Sequence, residues 1–208
     1  MARRALKSRA PSGDARQRVI LEAARRRFIR FGPRKTTMDE VAREAGCSRA
    51  TVYAHFGSKE DLYGSLLRVD WEAFIEEVEG IRAGADDARR KIRRIVEATR
   101  ATYANNQVLR LAAVRDDEMT LGPVAHSFTR DQERRIIDLL RRVLEQGVKE
   151  GSMRRIDPER VAYLMFHLGS VLVVRETSGA GDYPFEEILA LMDDVFARDI
   201  GKPRARRP

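Results

Sequence analysis

The chain has 208 residues, 43% hydrophobic and 35% charged, which is enough apolar material to bury a core and argues against disorder throughout. Its longest uncharged apolar run, Val161 to Val174, falls short of the roughly 20 residues a membrane span needs, and no signal pattern precedes it, so a cytoplasmic protein is expected. The formal net charge of +8 is uneven: residues 1–35 carry 12 Lys/Arg against Asp14 and Glu22, whereas the remainder carries 28 against 30 acidic residues. A basic excess confined to one end suits a polyanionic partner, either nucleic acid or an acidic membrane surface, and suits a solvated tail equally well.

Residues 1–13, with Arg3, Arg4, Lys7 and Arg9, lack apolar periodicity and read as a flexible basic arm, as do residues 201–208 at the other end. Such an arm neutralises phosphates without choosing sequence. Between the tails nearly every segment repeats its apolar residues at the helical period and none alternates as a strand does, so the expected fold is all-α.

The first helix begins near Asp14, places Ile20, Ala24, Phe28 and Phe31 on one face, and stops at Gly32-Pro33, where proline removes a backbone donor. Thr37 and Glu40 form a capping box for a second helix of about two turns, with Met38, Val41, Ala42 and Ala45 as its buried stripe and Gly46 at its end. Ser48 caps a third short helix through about His55. Ser58, with Asp61 three positions on, caps a fourth carrying Leu62, Leu66, Phe74 and Val78. Five more helices are expected at about 86–104, 107–118, 124–150, 158–177 and 185–199, separated by Gly84, Gly122-Pro123, Gly151 and Ser178 to Gly181.

Two short helices joined by Gly46-Cys47-Ser48 make a helix-turn-helix, whose second helix enters the major groove of DNA. Small and polar residues at that helix's start allow close approach to base edges. Arg49 can fork onto guanine or contact only phosphate, Ala50 and the Thr51 methyl can touch a thymine methyl, and Ser48 or Thr51 can reach a phosphate. Val52 and Phe56 face inward, which turns Tyr53 and His55 outward toward phosphates. Thr36, Thr37 and Lys59 sit at helix starts, where free amides and the helix dipole favour an anion.

Thr36 to Tyr63, T-T-M-D-E-V-A-R-E-A-G-C-S-R-A-T-V-Y-A-H-F-G-S-K-E-D-L-Y, resembles the DNA-binding domain of the TetR family of bacterial regulators. The likeness is close over residues 14–63 and elsewhere extends only to helical layout. Cys47 stands where an apolar residue is usual, and a small buried thiol suits that place. The resemblance implies a three-helix DNA-binding domain at 14–60 and a larger helical effector-binding and dimerisation domain at 61–200. It further implies a double-stranded DNA operator of inverted-repeat type, an unknown small-molecule effector, and a homodimer formed through the helices at 158–177 and 185–199. The sequence agrees with the last point on its own terms, because Val161 to Val174 is apolar almost all round and needs cover on more than one side. Phe185, Ile188, Leu189, Met192, Val195 and Phe196 give the next helix a matching stripe.

Thr99 and Tyr103 share a face with Ile92, Ile95 and Val96, as pocket-lining residues would, although buried hydroxyls bonded to backbone give the same pattern. Trp71, Phe74, Phe128 and His167 complete the candidate effector pocket, each also compatible with ordinary core. One cysteine and three histidines, at 55, 126 and 167, give neither a disulfide framework nor a metal-ligand cluster, and no cofactor is expected. No nucleophile–base pair or Gly-rich phosphate loop suggests an enzyme. The expected function is a ligand-responsive repressor, with an effector-free architectural or division-related DNA binder as the alternative.

Overall fold

In the computed structural model of the chain, the described residues are 13–113 and 122–177, together with positions 179, 184, 186, 187, 190 and 191. Eight helices occur among them: α1 (Gly13–Phe31), α2 (Met38–Glu44), α3 (Arg49–His55), α4 (Lys59–Ala83), α5 (Ala88–Asn105), α6 (Gln107–Ala113), α7 (Gly122–Glu150) and α8 (Pro158–Thr177).

Local side-chain chemistry sets where the short helices begin and end. At the start of α2, the Thr37 hydroxyl accepts from the Glu40 amide at 3.3 Å and the Glu40 carboxylate accepts from the Thr37 amide at 2.8 Å, the expected reciprocal cap. At its end, Cys47 N–H donates to Ala42 C=O at 3.0 Å and Gly46 N–H to Arg43 C=O at 3.2 Å. This double closure requires a left-handed residue at Gly46, whose φ is +63°, and it turns the chain directly into the Ser48 cap of α3. Ser58 caps α4 by accepting from Asp61 N–H at 3.1 Å, and Asp87 caps α5 by accepting from Arg90 N–H at 2.9 Å. That second cap moves the start of α5 from the expected 86 to 88.

Ile20, Ala24 and Phe28 of α1 meet Val41 and Ala42 of α2, Val52 of α3 and Phe56, all buried, in one core with Leu62, Tyr63 and Leu66 of α4. Phe28 and Tyr63 pack edge to face at 5.4 Å. Phe31 departs from the expected buried face and is 38% exposed. Three residues after Phe28 is less than a full helical turn, so its ring swings off the stripe and lies 4.0 Å under the Arg27 guanidinium.

The long helices form a bundle in which α4 packs on α5 and α7, and α8 packs on α7 and α5. Gly147 of α7 is needed for close approach, since a Cβ there would lie 2.6 Å from Met153 Sδ and 2.9 Å from the Ala88 methyl. Helix α4 belongs to both parts of the molecule. Its first turns close the small core, and its later turns carry Trp71, Phe74, Ile75 and Val78 into the bundle. Asp70, at the junction, accepts both Arg25 Nη atoms of α1 at 2.8 and 2.6 Å, a bidentate pair with the carboxylate 7% exposed.

Helix α6 follows the expected start at 107 and is described to Ala113; the rest of that expected helix, to 118, lies outside the described residues. The same holds for residues 1–12, for residues 201–208, for the side chains of His126 and Phe128, and for most of the helix expected over 185–199. Among the described residues no helix is long and apolar enough to cross a membrane.

Candidate functional site

Helix α3 presents two faces of opposite character. Val52 is sealed in the core, as is Phe56 just beyond the helix, whereas Ser48, Arg49, Ala50 and Tyr53 are exposed and Thr51 and His55 are half-buried. Ser48 fixes the first turn by accepting from Thr51 N–H at 3.0 Å, and the two hydroxyls lie 2.8 Å apart. Tyr53 keeps 41% of its surface exposed.

Arg49 does not project alone. Its Nη1 donates to Asp39 Oδ2 at 3.3 Å, its Nε lies 3.2 Å from Asp39 Oδ1, and its guanidinium lies 5.3 Å from the Tyr53 ring centroid. The Tyr53 hydroxyl, and after it the Asp39 charge, hold the Arg49 pKa above its usual value. Sequence reasoning missed Asp39, because a carboxylate in the first turn of a helix is explained by the helix dipole without any partner.

The two threonines before α2 diverge. Thr36 is fully buried, its hydroxyl donating to Gly32 C=O at 2.9 Å and its amide to the same oxygen at 3.3 Å. The expectation that Thr36 faces an anion is therefore corrected: the turn after α1 draws the side chain inward, where it satisfies the Gly32 carbonyl just beyond the helix. Thr37 is exposed, but its amide and hydroxyl are both engaged by Glu40. Lys59 Nζ donates to Arg34 C=O at 2.9 Å, tying the start of α4 to the loop before α2. Arg26–Glu44 at 2.8 Å and Arg27–Glu40 at 2.7 Å fasten α1 across α2.

A second feature lies in the bundle. A cavity of about 710 Å³, its open mouth included, is walled by Trp71 and Phe74 of α4, Thr99 and Tyr103 of α5, Ile136 and Leu140 of α7, and Met165, Phe166 and Leu172 of α8. Trp71 and Phe74 meet edge to face at 5.8 Å. Thr99 donates to Ile95 C=O at 2.7 Å, and burial, followed by the Glu133 charge, pushes the Tyr103 phenol up to about 12.

Four of the expected pocket residues, Trp71, Phe74, Thr99 and Tyr103, thus converge on this cavity. His167 does not. It sits among the rings of Tyr163, at 4.3 Å, and Phe166, at 5.1 Å, because two positions along α8 from Met165 turns it away from the cavity. The wall contributed by α7 and α8 was missed, since Ile136, Leu140, Met165 and Phe166 carry the same apolar spacing as core.

A recognition helix with an outward polar face, tied by one continuous helix to an apolar cavity, is the layout of a one-component regulator that binds DNA. Residues 20–66 match the family model described as bacterial regulatory proteins, tetR family. The HTH-type transcriptional repressor KstR2 of Rhodococcus jostii is 30% identical over 68% of this chain and 69% of its own length. The uncharacterised HTH-type regulator YhgD of Bacillus subtilis is 28% identical over 76% of this chain and 82% of its own. Among solved structures, FadR of Bacillus subtilis in complex with stearoyl-CoA superposes with a TM-score of 0.73 at 18% identity, covering 86% of this chain and 98% of the FadR chain. The chain belongs to the TetR family of bacterial DNA-binding transcriptional regulators.

Proposed function

We propose that the protein is a ligand-responsive repressor that binds an inverted-repeat operator as a homodimer and releases it when an effector fills the α4–α5–α7–α8 cavity. The observation that carries this reading is the continuity of α4, which runs from the Ser58 cap beside the recognition helix to Trp71 and Phe74 on the cavity wall. A DNA-binding unit at residues 14–60 and an effector and dimer unit at 61–200 thus share one lever. Occupants that favour a different placing of Trp71 and Phe74 shift α4, and the Asp70–Arg25 pair carries that shift to α1.

Ser48, Arg49, Ala50 and Thr51 read base edges, while Tyr53, His55 and Lys59 hold the phosphate backbone on either side. The second subunit covers α8, on which Tyr163, Leu164, Leu168, Val171 and Leu172 are each 43–60% exposed, a larger apolar face than a lone monomer usually shows. Residues 185–199 complete that interface. Two recognition helices then sit about 34–36 Å apart over successive major grooves, and an effector that alters the spacing weakens binding about 5- to 150-fold. The KstR2 relative is a repressor by name, and FadR, of the same fold, holds stearoyl-CoA, which supports a lipophilic effector class.

Footprinting the purified protein on the DNA around its own gene tests the reading. A protected inverted repeat is expected, and equal affinity for that region and for random DNA at moderate salt defeats it.

A further inference from the structure

Two donors among the described residues of the cavity wall have no hydrogen bond to a described residue: the Tyr103 hydroxyl and the Trp71 indole N–H. Tyr103 is 6% exposed and lines the cavity, yet its hydroxyl has no hydrogen bond to any described residue. The hydroxyl of Thr99, one turn away, already donates to Ile95 C=O and offers only its lone pairs. Burial and the nearby Glu133 charge both oppose ionisation of the phenol, which stays a neutral O–H donor at any physiological pH. A donor on an otherwise apolar wall gains a net hydrogen bond when a ligand brings an acceptor within its reach.

The rest of the wall restricts what that acceptor belongs to. No Lys, Arg or His is among the described lining side chains. Arg100, next to Thr99 in sequence, is held by Glu176 at 2.9–3.2 Å. A carboxylate or phosphate drawn into this space would lose its hydration, find no cation among the described lining residues, and feel the Glu133 charge.

We propose that the effector is an uncharged lipophile carrying a hydrogen-bond acceptor, such as a ketone or ester oxygen, which accepts from the Tyr103 hydroxyl. This rests on the reading of the cavity as the effector site. It separates the ligand class from free fatty acids and other anionic amphiphiles, which share the apolar chain but bring a charge.

Trp71, the single tryptophan of the chain, stands on the cavity wall and reports occupancy through its fluorescence. Full-length protein and its Tyr103→Phe variant are titrated with 2-decanone, decane and decanoate. The ketone is expected to bind the wild type about three- to tenfold more tightly than the variant, the span of one net hydrogen bond, with decane unchanged between the two. Decanoate is expected to bind the wild type more weakly than the ketone. Equal ketone affinity in both proteins, or decanoate binding as tightly as the ketone, overturns the proposal while leaving the cavity a ligand site. If none of the three probes perturbs Trp71, the effector reading of the cavity falls, and the Tyr103 assignment falls with it.

Discussion

The two functional regions of this molecule are built in opposite ways. The recognition surface is convex, polar and made by two short helices whose caps, turn and buried residues are all close in sequence, from Thr37 to Phe56. The cavity is concave, apolar and assembled by four helices from residues as distant as Trp71 and Val173. Side chains in the first region face outward because their neighbours must face inward. Side chains in the second line a space only because four separate elements fail to fill it. A local motif can therefore specify a DNA-reading face, whereas a binding cavity depends on tertiary packing.

This contrast sets the cost of truncating an aromatic residue in each region. Phe56 is 1% exposed and belongs to the buried core, so Phe56→Ala is expected to cost about 3–5 kcal/mol in urea denaturation. Phe74 is 6% exposed but has the cavity on one side, so Phe74→Ala removes fewer contacts and should fall at or below about 3 kcal/mol. Equal losses would mean that the cavity wall is packed as tightly as the small core.

Between the regions stands the Arg25–Asp70 pair. Asp70→Ala leaves a guanidinium that is only 21% exposed without its bidentate partner, and should cost about 2–4 kcal/mol, somewhat less than for a fully buried charge. Adding Arg25→Ala should recover part of that loss, because the second change removes the stranded charge. If the pair couples the regions, Asp70→Asn should still bind the operator yet respond less to an effector, and an unaltered effector response would place the coupling elsewhere.

The sequence was most legible where structure is local. The Thr37–Glu40 cap, the Gly46 turn, the Ser48 and Ser58 caps and the inward Val52 and Phe56 all occur as read. Thr36 was misplaced, because adjacent threonines look alike in sequence while only the backbone path after Gly32 decides which one turns inward. Asp39 went unnoticed as the partner of Arg49, since ten residues and a turn separate them. For the cavity, the aromatic and hydroxyl residues of α4 and α5 stood out from core, but the aliphatic wall of α7 and α8 did not, and His167 was drawn in by its chemistry rather than its position.

Base reading by Arg49 gives effects of intermediate size. If its free N–H groups fork onto guanine, Arg49→Ala should lose about 1–3 kcal/mol of discrimination at one symmetric base pair of the operator. If it contacts phosphate alone, all sequences should weaken alike and the salt slope should fall by about one. Asp39→Asn separates these outcomes further: releasing Arg49 while removing a negative charge from the DNA face should raise nonspecific affinity and blur the same base pair. Tyr53→Phe should weaken all DNA uniformly by about 1 kcal/mol, and no loss would place its hydroxyl away from phosphate.

The smallest expected effect is on pH response, where the regions should again differ. The Thr37 amide, then the Thr37 hydroxyl and the Arg27 charge, hold the Glu40 carboxyl below its ordinary range. A depressed carboxylate stabilises the fold above its unfolded pKa of about 4.3, and that contribution disappears as pH falls through the lower folded value. The Thr37 amide resonance should therefore titrate with a midpoint below that of a free glutamate and become flat in Glu40→Gln, which keeps the acceptor and loses the charge. A midpoint at or above the ordinary value would show that the cap seen here does not persist in solution. Tyr103 should show no transition over the same acid range, because a phenol, here pushed up to about 12 by burial, is already fully protonated there. Acid below the ordinary carboxylate range should therefore loosen the start of α2 and leave the Tyr103 wall of the cavity unchanged.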